Sequence, residues 1–301
     1  MGSETRFVWG DEAVRWLDEH PPQRIQDLSW FRRACSVAAT PFILSQGEWW
    51  VPCWYFDAGG GKMRVGSWGG WFLDGEPWKG GPESIDDVQE AFVKSDLKGI
   101  LGMFSGVQTP LRPGMEQDEY SFTRLLVKWS SFDEFMEKEW SSKGRNTHKR
   151  QMLRLRRLRV SVDDALSFKD FVFLVQQSVK AASRLGQAPI CYSPMMRAAY
   201  WNLYAEAGRH GVLRVYRYWN GPERVGVMTL IEDRISNRVN LQMVHGEEGI
   251  DSIGKLMYES LLTHAINGRF ASVSGGLKQY ELKSKFRFEE EPAVSWIVGE
   301  S

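Results

Sequence analysis

The sequence predicts an α+β fold of two tandem units, each a mixed, mostly antiparallel sheet flanked by helices. Three observations carry that expectation. Residues 167–298 read in the order helix, helix, three strands, helix, strand, strand. Residues 13–129 repeat a similar order more faintly, with negligible identity between the halves. The 301 residues, 43% hydrophobic and 25% charged, suffice for about two globular domains. The junction is expected near residue 140, giving units 1–140 and 141–301.

In the second half, Ser167 and Asp170 form a capping box. Phe168, Phe171, Val172, Val175, Val179 and Ala182 then recur at helical spacing. A second helix starts at Ser193-Pro194 and stops near Gly208. The runs 212–218, 224–232 and 238–244, separated by short turn-rich segments, predict an antiparallel meander. Ile253, Leu256, Met257, Leu261 and Ala265 share one helical face, and Asn267-Gly268 is a stop signal. A strand at 270–274, a short helical stretch and a strand at 293–298 follow.

In the first half, Ala13, Trp16 and Leu17 mark a helix ended by Pro21-Pro22. FILSQ, WWVPCWYF and the Gly-rich MRVGSWGGWFL read as strands. The helix ESIDDVQEAFVKS precedes KGILGMF and the strand SFTRLLVKW.

Composition excludes several classes. With 38 Lys+Arg against 38 Asp+Glu, bulk charge does not hold this protein to nucleic acid or membrane. Cys35, Cys53 and Cys191 form no C-x-x-C pair and no His lies at ligand spacing, so neither a disulfide framework nor a metal site is expected. The acidic N-terminus lacks an apolar signal core, and no apolar run approaches the ~18 residues of a membrane span. The expectation is a cytoplasmic protein with no membrane association, monomeric or homodimeric.

Residues 143–159 hold Lys143, Arg145, Lys149, Arg150, Arg154, Arg156, Arg157 and Arg159 without an acidic residue. Met152, Leu155 and Leu158 give this segment an apolar edge, so one basic helix is predicted. Its bland role is a solvated face. Its functional role is to hold phosphates, with Lys143, Arg145 and Arg150 as candidate contacts. GEEGIDSIGKL places glycines ahead of a helix N-terminus, where amides around Ser252, Gly254 and Lys255 could receive a pyrophosphate. In most proteins such a turn is only structural. In GGLKQYELKSKFRF, one inward lysine could stabilise negative charge developing on a carbonyl oxygen. The alternative is an amphipathic turn with snorkelling lysines.

Together, SSKGRNTHKRQMLRLRRL, DSIGKLMYESLLTHAINGRFASVSGG and LKSKF resemble the Fem-type aminoacyl-transferases and related polysaccharide-biosynthesis N-acyltransferases, which carry two GNAT-like units. The likeness runs from about Phe122 to the C-terminus. It implies transfer of an acyl or aminoacyl group to an amine, with Lys283 assisting at the carbonyl and Phe286 in the family's aromatic position. It implies no tightly bound cofactor, and acyl-CoA or aminoacyl-tRNA as donor. The coenzyme-A loop of ordinary GNAT enzymes, Q/R-x-x-G-x-G/A, is replaced by GIDSIG, so either donor stays open. A proton acceptor is sought at His245 or Glu247, after the third strand of the meander. Tyr192 and Tyr280 could serve as acids and contact substrate, and Trp68 and Trp71 could line the site of a small-molecule, sugar or peptide acceptor. A non-catalytic sugar- or peptide-binding module on the same fold is the remaining alternative.

Overall fold

A computed structural model describes residues 6–19, 40–46, 49–57, 63–67, 99–105, 115–184, 194–234, 237–247, 249–277 and 280–298. The chain divides into two compact units, Met1–Phe122 with Glu291–Ser301, and Thr123–Glu290. The expected junction at residue 140 therefore lies inside the second unit. There Trp129, Phe135 and Met136 already belong to the core that contains Phe286 and Phe288.

In the first unit, β1 (Arg6–Trp9), β2 (Thr40–Gln46), β3 (Trp49–Asp57) and β4 (Met63–Ser67) pair antiparallel in that order. Next comes β5 (Gly99–Ser105), parallel to β4, and then the last strand, β12 (Glu289–Val298), antiparallel to β5. Helix α1 (Gly10–Glu19) buries Ala13, while Trp16 meets Trp50 edge-on at 5.2 Å. The predicted strands at FILSQ and WWVPCWYF are present, β4 is the start of the predicted MRVGSWGGWFL strand, and β1 and β5 are additions to the sequence reading. The helix ESIDDVQEAFVKS lies outside the described residues.

The second unit is entered through β6 (Met115–Leu126) and holds α2 (Phe132–Glu139), α3 (Ser142–Leu155) and β7 (Leu158–Asp163). Then come α4 (Phe168–Arg184), α5 (Pro194–Arg209), β8 (Leu213–Asn220), β9 (Glu223–Asp233) and β10 (Arg238–Gly246). Helix α6 (Ile253–Asn267), β11 (Ser272–Leu277) and α7 (Tyr280–Lys285) complete it. The strand order is β6-β11-β10-β9-β8-β7. The meander β8-β9-β10 is antiparallel as predicted. Beyond it β10 meets β11 in parallel.

Two local features depart from the sequence reading. The basic segment is not one helix, because α3 ends at Leu155 and Leu158 opens β7, antiparallel to β8. Leu155 and Leu158 are both buried, as the apolar edge required. At the end of α6, Gly268 is right-handed and Arg269 carries the positive φ of 55°. Glycine is needed at 268 for space: a Cβ there would lie 2.6 Å from the Phe270 ring.

The Ser167 capping box forms as read. The Asp170 amide donates to Ser167 Oγ at 3.2 Å, and the Ser167 amide donates to Asp170 Oδ2 at 3.1 Å. Phe171, Phe173 and Leu174 are buried behind it, whereas Phe168 is 67% exposed. No helix among the described residues is long and apolar enough to cross a membrane.

Candidate functional site

The parallel pairing of β10 and β11 covers three residues each, Arg238–Asn240 against Ser272–Ser274. Beyond them the strands part, while β10 stays paired to β9 as far as Gly246 through a bulge at Leu241/Met243. Such a bulge redirects a strand. Its backbone is served by Thr229, whose Oγ1 accepts from the Met243 amide at 3.1 Å.

Lys283 stands at this separation. It is 2% exposed, and its Nζ donates to the Gly276 carbonyl at 3.0 Å. The same carbonyl accepts from Thr123 Oγ1 at 2.8 Å. Gly276 has φ +65°, and at Gly275 a Cβ would come within 2.5 Å of Thr123 Oγ1, so two glycines shape this turn. Burial lowers the Lys283 pKa to about 7, with Glu290 acting in the opposite sense. A lysine poised between charge states in a site of this kind can donate to an oxyanion or exchange a proton.

The start of α6 lies beside α7. A Cβ at Gly254 would meet Leu282 at 3.3 Å, so a small residue lets the helix of Lys283 approach. Ser252 occupies the N-cap position with φ 65° and makes no side-chain cap; its Oγ donates to Asp251 Oδ1 at 3.2 Å instead. Serine is a favoured cap residue, but here the left-handed backbone turns the hydroxyl away from the first-turn amides. The Lys255 amide bonds to the Ser252 carbonyl at 2.9 Å, and its Nζ donates to Gln151 Oε1 at 2.7 Å.

His245 and Glu247 lie at the end of β10, just before α6. His245 is opposite Val227, and desolvation lowers its pKa to about 4, so the ring is neutral at pH 7. The Glu247 amide donates to the Val225 carbonyl at 2.8 Å, and its side chain is partly exposed.

Helix α3 runs antiparallel along α6. His148 Nε2 lies 2.8 Å from Glu259 Oε2, Gln151 meets Lys255, and Arg154 lies 3.9 Å from Asp251. Lys143, Lys149, Arg150, Arg156 and Arg157 are exposed and make no ion pair among the described residues. Arg145 plays another part. Its guanidinium donates to the carbonyls of Trp140 at 2.7 Å and Glu137 at 3.2 Å, closing the end of α2. Sequence reasoning took it for a phosphate contact, and these bonds make it a helix cap.

Phe286 is also reassigned. It is 1% exposed, stacked on Tyr258 at 5.4 Å and edge-on to Trp140 at 5.5 Å, so it anchors α7 in the core instead of lining a substrate surface. Trp68, Trp71, Tyr192 and the Tyr280 side chain lie outside the described residues. Ser252, Gly254 and Lys255 thus lie at the start of α6, where Gly254 approaches the helix of Lys283, and His245 and Glu247 lie at the end of β10 just before it. The sequence reading missed His148, Glu259 and Asn240; a lone histidine in the basic run was the only signal for the first.

This unit, with a strand, two helices, a three-strand meander, a helix at the point of strand separation and a closing strand and helix, is a GNAT-like fold. The fold of the whole chain is similar to those of FemX and of a tandem GNAT protein. It is similar to FemX, 9% identical over 98% of each chain with a TM-score of 0.55. L-PGS from Bacillus licheniformis is 13% identical with a TM-score of 0.57, covering 97% of this chain and 92% of that one. A tandem GNAT protein from the clavulanic acid biosynthesis pathway is 13% identical with a TM-score of 0.50, covering 99% and 100%. No family model matches the sequence, and no curated protein matches it.

Proposed function

We propose that the protein is an N-acyltransferase that moves an acyl group from an acyl-CoA-type donor to an amine of a small-molecule, sugar or peptide acceptor. The observation that carries this reading is the buried Lys283, bonded to Gly276 where β10 and β11 part. In the reaction the acceptor nitrogen attacks the thioester carbonyl carbon, the C–S bond breaks, and the thiolate leaves. Protonated Lys283 donates to the developing oxyanion. The ammonium formed must lose a proton, for which neutral His245 or the Glu247 carboxylate is the acceptor. The start of α6 around Ser252 and Gly254, with the helix dipole, would face the donor's phosphates.

The exposed cations on α3 and just after it favour a second reading, an aminoacyl-tRNA donor. Release of free thiol from a panel of acyl-CoAs with mixed primary amines tests the first reading. Transfer from charged tRNA, with affinity falling steeply as salt rises, would select the second. Amine-dependent turnover from neither donor, together with retained sugar or peptide binding, would leave a non-catalytic binding module.

A further inference from the structure

Where β10 and β11 separate, one buried side-chain amide has no hydrogen-bond partner among the described residues, and two buried serines lie beside it. Asn240 is 4% exposed, and its Nδ2 has no partner. Ser272 and Ser274 are 6% and 5% exposed, and Ser274 is the register partner of Asn240. The register sets Arg238, Val239 and Asn240 opposite Ser272, Val273 and Ser274. Val239 and Val273 belong to the core cluster that includes the buried face of α6. Alternation along the strands therefore turns Asn240, Ser272 and Ser274 to the other face, the side on which α4 and α5 lie. On that face Thr229 is already committed, to Tyr204 and to the bulge backbone. The row leads along β11 to Gly276, the residue that holds Lys283.

A buried amide without a partner destabilises a fold, and an apolar residue of similar shape would be tolerated as well or better. A group of this kind at the edge of a site needs a ligand to explain it. The three side chains are uncharged, and each can both donate and accept. They match a neutral hydroxyl or amide better than a carboxylate or phosphate.

We infer that Asn240 and Ser274 form a subsite that hydrogen-bonds a neutral hydroxyl or amide group of a substrate, so that polar acyl groups or acceptors are preferred over alkyl ones. The inference rests on the acyltransferase reading and adds the substrate class. Two matched pairs locate the group: 3-hydroxybutyryl-CoA against butyryl-CoA with glycylglycine as acceptor, and glycinamide against propylamine with acetyl-CoA as donor. Preference for the polar member by roughly 100-fold or more in kcat/KM is expected in one pair, and that pair names the source of the group. Asn240→Leu should collapse the preference to within about threefold while leaving the Tm equal or higher. Ser274→Ala adds no volume and should weaken the preference about tenfold with the Tm unchanged, so the test survives if the leucine variant does not fold.

Equal rates within both pairs would overturn the inference. So would a Tm lowered in both variants, which would mean that these groups serve the fold. If no donor turns over, the acyltransferase reading fails first. Calorimetric binding of 3-hydroxybutyryl-CoA and of glycinamide to wild type and Ser274→Ala then decides: affinity lost in the variant supports the subsite, and equal or absent affinity in both overturns it.

Discussion

Among the described residues of the second unit, Asp170 and Lys283 are the two most deeply buried charged side chains, at 1% and 2% exposure, and they are treated in opposite ways. Asp170 receives Ser167, the Arg217 guanidinium at 2.8 Å and the Arg224 guanidinium at 2.5 Å, so its charge is fully matched. Despite burial its pKa falls below the usual carboxylate value, because the Ser167 and Arg217 hydrogen bonds outweigh desolvation. Lys283 donates to the Gly276 carbonyl, but desolvation dominates, taking it from 10.5 to about 7. A matched buried charge organises a fold, whereas one whose charged form is poorly supported is available for chemistry.

Four changes probe that contrast. Asp170→Ala leaves two arginines facing an emptied site and should cost about 3 kcal/mol in urea unfolding. A loss below about 1 kcal/mol would mean that the cluster is not structural. Ser167→Ala removes the cap and the hydroxyl's bond to Asp170 Oδ2 but keeps the backbone amide's bond, and about 1 kcal/mol is expected from the same measurement.

The third is the pH dependence of stability. With a folded pKa near 7 and an unfolded one near 10.5, Lys283 binds more protons when unfolded between those values. Its destabilisation is therefore full below about pH 7 and is relieved as pH rises towards 10.5. Wild type should gain stability relative to Lys283→Met across that window, and parallel curves would contradict the assignment. The smallest change is Arg150→Gln with Arg157→Gln on the exposed basic face. It should weaken a phosphate-bearing donor a fewfold at low salt and hardly at all above about 0.5 M.

Much of this arrangement was legible in the sequence. The apolar spacing of α4 and α6 and the alternation of β8 to β10 fixed the element order of the second unit, and Lys283 emerged from a motif of only five residues. What was missed has physical causes. Leu155 and Leu158 fit a helical stripe, so the switch into β7 left no break in periodicity. Asn240 alternates with apolar neighbours and reads as a solvent-facing strand residue, but its face is covered by other elements. Arg145 has the chemistry of a phosphate ligand, yet the adjacent end of α2 takes its donors. Ser252 has the residue type of a cap without the backbone to act as one.

The central claim is that the strand separation is an acyl-transfer centre organised by Lys283. It is tested most directly by amine-dependent release of product from wild type and Lys283→Met, each first shown to be folded. The account predicts turnover in wild type and a loss of roughly 100-fold or more in kcat for the variant, with donor affinity held within a fewfold. Equal turnover in the two proteins would contradict it.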